Sequence, residues 1–246
     1  MSLSDWIAEV IRLTIFPVPG APVTPENWWK GATGADPETR TVKPATREHV
    51  DEGPFDNGRL VLSINPVGVI QWQLLPSAPV ELVAEIPSLG PLPRILDAFA
   101  QLTGKWLPEC PPATRLGLGV IAHLPVSDHD EAYRRLGDML NGSVRIDPQG
   151  SSEFLYRINR PRSSRTGVPD LRINRLSTWI AIKMSVLAGS TPATASLLGE
   201  RYACRADLDI NTVPTFKGTL SSSQLIEVSH ELRDLAAEIV DKGDVP

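Results

Sequence analysis

Cysteine is nearly missing from this chain: Cys110 and Cys204 are the only two in 246 residues. Two thiols so far apart make no disulfide framework, and a four-thiolate zinc site cannot be assembled within one chain. Long apolar runs are missing too. No stretch reaches the roughly 18 apolar residues of a membrane span, so no membrane partner is expected. The opening "MSLSDWIAEVIRLTIF" breaks its apolar character with Asp5, Glu9 and Arg12, unlike a secretory leader. A reducing, cytoplasmic location is the expectation. Excess positive charge is lacking as well: 24 Lys and Arg against 29 Asp and Glu leave a net charge of −5. Such a chain is not drawn to phosphate as a whole, and a nucleic-acid role needs a local basic patch.

What is present describes a globular protein. Hydrophobic residues make up 41% and charged residues 22%, enough for a sizeable core. Ile11, Leu13 and Ile15 alternate with polar neighbours, which is strand periodicity. "TPENWWKG" suggests a short helical turn capped by Thr24 and opened by Pro25. Residues 31–58 are polar and rich in Gly and Pro, and are expected to form a long mobile or functional loop, or a linker. "RLVLSINPVGVIQWQLLP" has the pattern of a hairpin, with Leu60, Leu62 and Ile64 answered by Ile70, Trp72 and Leu74. Ile95, Leu96, Phe99, Leu102 and Trp106 form a helical stripe, and Leu225, Val228, Leu232, Leu235 and Ile239 form a clearer one. Further alternating segments follow in "RLGLGVIAHLPV", "SSEFLYRINR", "DLRINRLSTWIAIKMSVLA" and "RYACRADLDINT". The expected fold is α+β: antiparallel sheets with helices packed on one face, in two similar halves. The Pro-rich joint "CPPATR" divides them into residues 1–112 and 113–246, side by side or in one continuous sheet.

Candidate chemistry is sparse. "HLPVSDHDE" gathers His123, Asp128, His129, Asp130 and Glu131, but Ser127 or Asp128 with Glu131 fits a capped helix start better than a metal nest. Asp207 and Asp209 stand two apart on a strand and so share a face. They are candidates for a divalent metal, or for ion pairs with nearby arginines. Neither cysteine has a neighbouring histidine, and no G-x-S-x-G elbow occurs. "GATGAD" lacks the Lys-Ser/Thr of a phosphate loop. No cofactor, resident metal or catalysis is expected. The densest anomaly is basic. From Phe154 to Lys183 seven bases face one acid, Asp170, with Phe154, Tyr156 and Trp179 among them. Arg157, Arg160, Arg172, Arg175 and Trp179 are therefore candidates for binding an anion or a nucleic acid. The alternative is that outward arginines pair across the sheet with the acids of "RADLDIN".

The arrangement resembles a sporadically distributed family of uncharacterised bacterial cytosolic proteins of similar length. The likeness rests on "WIAEVIRLTIF" at the start, Trp28 or Trp29 after it, and "LRINRLSTW" later. An acidic "ADLDINT" strand then precedes the long final helix. Thr178 stands where that family places Asn before its tryptophan. The resemblance implies a two-part α+β protein and carries over no catalytic residue. The functional expectation is a non-catalytic binding or interaction protein with an unknown protein or anionic ligand as partner. The alternatives are nucleic-acid binding by residues 154–183 and a metal-dependent enzyme using Asp207 and Asp209.

Overall fold

The computed structural model describes residues 2–77, 86–140, 144, 146, 147, 149–188 and 196–244. Eleven strands join in one antiparallel sheet. The first half supplies β1 (Ile7–Pro17), β2 (Thr39–Lys43), β3 (Glu48–Phe55), β4 (Gly58–Ile64), β5 (Ile70–Pro76) and the two-residue β6 (Gly90–Pro91). The second supplies β7 (Ala113–Val126), β8 (Leu155–Asn159), β9 (Arg162–Ser163), β10 (Arg172–Ala188) and β11 (Ser196–Thr212). The helices are α1 (Trp28–Thr33), α2 (Leu92–Trp106), α3 (His129–Met139) and α4 (Ser222–Lys242). The sheet runs β2-β3-β4-β5-β1-β7-β11-β10-β8, with β6 beside β1 and β9 beside β10.

The order is symmetric about its centre. β1 and β7 pair antiparallel along most of their lengths, and each is flanked outward by the last long strand of its own half, β5 or β11. From there each half steps backward through its meander to the edge. Each half thus reads strand, helix, antiparallel strands, helix. The joint at 112 and 113 falls immediately before β7, so the two halves share one sheet.

Period-2 alternation sorts each strand's side chains onto two faces. One face carries Ile11, Leu13, Ile15, Leu60, Leu62, Trp72, Leu74, Leu118, Val120, Leu208 and Ile210, all buried beneath the helices. The stripes of α2 and α4 complete that core with Phe99, Trp106, Val228, Leu232 and Leu235. Tryptophans concentrate there. Trp72 stands 5.9 Å from Trp29 and 5.7 Å from Trp106, and Trp106 lies 5.3 Å from Trp28. Each such aromatic pair adds roughly 0.5–1.5 kcal/mol beyond simple burial. On the opposite face, side chains such as Arg12, Asp207 and Asp209 are exposed.

Three local expectations need correction. Residues 31–58 are not a long loop, because β2 and β3 lie within them. β2 is a fully exposed edge strand and β3 turns His49, Asp51 and Gly53 inward, so neither shows apolar alternation. The first α-helix starts at Trp28 with Asn27 as its flanking residue, not at Thr24. The Pro25 carbonyl accepts the Trp28 N–H in a preceding turn, and burial of both Trp28 and Trp29 sets where the helix lies. The third correction concerns the arginines and is taken up next.

Candidate functional site

The basic segment does not present one surface. β10 turns Ile173, Arg175, Ser177 and Trp179 inward and Arg172, Asn174 and Thr178 outward. Arg175 is only 5% exposed and Trp179 is fully buried, which corrects the reading of Arg175 as an outward group. Two-residue periodicity places it with Ile173, not with Arg172. The Trp179 indole donates to Ser177 Oγ at 3.1 Å and meets Trp6 edge-on, so it has no free face for a base to stack on. Burial, and then the neighbouring Arg162, lower the Arg175 pKa from its ordinary value.

Several remaining arginines answer the protein's own acids, but on α4 and just beyond it, not in "RADLDIN". Arg160 grips the nearly buried Asp244 through Nε at 2.5 Å and Nη2 at 2.8 Å, and the Tyr156 hydroxyl adds a third bond at 2.9 Å. The Arg160 hydrogen bonds hold the Asp244 carboxyl below the usual range, and that carboxylate raises Arg160 in turn. Arg162 reaches Glu238 at 3.4 Å and Glu231 at 3.8 Å. Glu231 also accepts from Ser164 Oγ and the Arg165 backbone N–H. This network fastens the last helix to the β8–β10 segment. Only Arg157 and Arg172 of the five candidates remain on the open face, where both are exposed.

The other sequence candidates resolve as follows. Asp128 caps α3 by accepting the Glu131 N–H at 2.8 Å. Glu131 reaches back to the Ser127 N–H and hydroxyl. These bonds depress both carboxyls, Asp128 through the Glu131 amide and Glu131 through the Ser127 amide. Asp207 and Asp209 lie on the open face. Asp209 accepts from Asn211 at 2.9 Å, and among the described residues no three metal-ligating side chains gather. Cys110 and Cys204 are buried free thiols, each pushed up to about 12 by desolvation.

A site of another kind lies at the far edge of the first half. Two inward rows cross the sheet there. One runs Ile15, Ile70, Ile64, His49, Val42 and the other Leu13, Trp72, Leu62, Asp51, Arg40. Both are apolar until β3 and then change character. Trp29 of the short α1 stacks on Trp72, and the proline-rich residues 17–23 and Pro25 face the outer ends of these rows across an unfilled space. A cavity of about 820 Å³ results, lined by that segment, by Arg40, Val42, Arg47, Glu48 and His49, and by the β4–β5 turn. Asn65 shapes that turn by accepting the Val67 and Val69 N–H groups.

Asp51 is fully buried and needs compensation for its charge. Arg40 supplies a two-pronged pair, Nε to Oδ1 at 2.7 Å and Nη2 to Oδ2 at 2.9 Å. That hydrogen-bonded carboxylate raises the Arg40 pKa. His49 Nε2 lies 2.9 Å from Asp51 Oδ2, but off hydrogen-bond alignment. The arrangement is a buried carboxylate that steadies an arginine and an imidazole at a cavity wall. Sequence reasoning missed it, although the spacing that singled out Asp207 and Asp209 applies equally to His49 and Asp51. Reading residues 31–58 as loop removed that strand logic.

Compared with known proteins, the chain matches no family model and no curated protein.

Proposed function

We propose that this is a ligand-binding protein whose ligand occupies the cavity between the proline-rich segment and the β2–β3 edge. The observation that carries the reading is that both inward rows, apolar across β1, β5 and β4, become polar at His49 and Asp51 of β3, beside an 820 Å³ space. Small-molecule sites typically span about 300–1,000 Å³ and combine apolar walls with a few fixed polar groups. Val42 and Val67, two of the large exposed hydrophobics, lie on its wall. The two halves also differ at this point. β1 is joined to α1 by residues 18–27, whereas β7 passes to α3 through residues 127–128 alone. The segment that roofs the cavity is therefore extra to the shared plan, and such additions commonly carry function. Binding without catalysis remains the reading, with a cytosolic setting supported by two free thiols. Among the described residues no helix is long and apolar enough to cross a membrane.

The test is a thermal-shift screen of small metabolites against the wild-type chain and Ala21→Trp, which fills the space from its roof. Compounds that stabilise the wild type and not Ala21→Trp support the reading. Stabilisation that persists in Ala21→Trp, or no stabilising compound at all, overturns it. The Arg157→Ala/Arg172→Ala double variant should bind like the wild type.

A further inference from the structure

We infer that the cavity selects an amphiphilic anion, a carboxylate or phosphate on an apolar body, with Arg47 as the headgroup contact and His49 beside it. The inference rests on the ligand-binding reading above and adds the chemical class.

The argument starts from the backbone. Among the described residues, three that are not glycine have positive φ: Arg47 at 57°, Asp56 at 52° and Asp170 at 57°. Aspartate tolerates this region because its short side chain bonds locally, whereas arginine has no such relief. Gly or Asn at residue 47 would close the β2–β3 turn at lower cost. Observed strain of this kind points to a side chain held for a purpose other than folding. Arg47 lines the cavity, and while its backbone N–H donates to the Pro44 carbonyl, its exposed guanidinium makes no hydrogen bond or ion pair among the described residues.

Two of the other charges on the wall are already answered. Arg40 is consumed by Asp51, and Glu48 is answered by Lys43 at 2.6 Å. The other acid on the wall is Glu26, which adds to the field that raises Arg40. Arg47 stands in the β2–β3 turn leading into His49, whose ring is 8% exposed. A guanidinium without a partner, on the same cavity wall as a nearly buried imidazole, suits an oxyanion with two or more oxygens. Apart from Asn65, whose Oδ1 is engaged by its own turn, the rest of the wall is mainly aliphatic: Val18, Val23, Val42, Ile64, Val67 and several prolines. It would take a hydrocarbon body.

The experiment is calorimetric titration of the full chain with octanoate, octyl phosphate and octanol, which share a body and differ in headgroup. One or both anions should bind at least tenfold more tightly than octanol, and the better one identifies the headgroup. Arg47→Asn, which suits the left-handed turn, should abolish the preference while leaving the melting temperature equal or higher. Arg47→Lys should retain most of it. Equal binding of all three, unchanged in Arg47→Asn, overturns the anion class and leaves the ligand-binding reading intact. No binding of any of them overturns the amphiphile class, and the metabolite screen with Ala21→Trp then judges the cavity separately.

Discussion

His123 offers the sharpest quantitative test of this packing. It sits on β7 between Ile7 of β1 and Arg205 of β11, on the side of the sheet away from the helices. It is nevertheless 1% exposed, and its Nδ1 is buried without a partner. Arg205 binds Glu9 at 3.0 Å, and because β7 lies between their strands, this ion pair crosses β7 beside the imidazole. Burial, and then the Arg205 charge, push the His123 pKa down from 6.5 to about 4. The folded protein therefore holds the ring neutral where the unfolded chain takes up a proton. Stability from this residue is fully present above pH 6.5 and is lost as pH falls toward 4. At about 1.4 kcal/mol per pKa unit, the shift corresponds to roughly 3 kcal/mol. Urea unfolding followed by tryptophan fluorescence, at pH 7 and again near pH 4.5, measures it. The wild type should lose about 2–3 kcal/mol more than His123→Gln over that interval, since the carboxylates common to both cancel in the comparison. Equal losses in the two proteins would refute the claim that His123 is desolvated beneath the Glu9–Arg205 pair.

Other consequences are as direct. Cys110 and Cys204, raised to about 12 and buried, should resist a thiol-disulfide reagent in the native state and react fully in denaturant; fast native labelling would contradict their placement. Gly243→Ala should destabilise by more than about 2 kcal/mol, because φ is +76° and the added Cβ would lie 1.9 Å from the Met139 carbonyl oxygen; denaturant midpoints measure the loss. Arg160→Ala should cost about 2–3 kcal/mol, less than a fully buried pair because Arg160 is part-exposed. A loss below about 0.5 kcal/mol would class the pair with ordinary surface bridges.

The parts legible in the sequence were those where one physical signal dominated. The alternation of Ile11, Leu13 and Ile15, the Leu60–Leu74 hairpin and the stripe ending at Ile239 each follow from burial on one face, and each stands where periodicity puts it. β2 and β3 were hidden because an edge strand has no buried face to mark it, and because His49 and Asp51 occupy positions where a core residue would reveal the pattern. Arg175 was misplaced for a related reason. A cation was taken as a mark of the wet face, but inward arginines are tolerated where burial is partial and acids such as Asp244 stand near.

Local pattern alone thus determined the α+β class, the faces of the strands with apolar alternation and the helix stripes, since each depends on side chains a few residues apart. Tertiary structure decided the rest. It joined β1 to β7 and so made one sheet of two halves, and it supplied two acids of α4, and Asp244 just beyond it, to arginines some 70 to 90 residues earlier. It also left a space where an arginine, a carboxylate and a histidine converge beneath prolines. Those outcomes depend on which surfaces meet, and pairing between distant segments leaves no periodic trace along the chain.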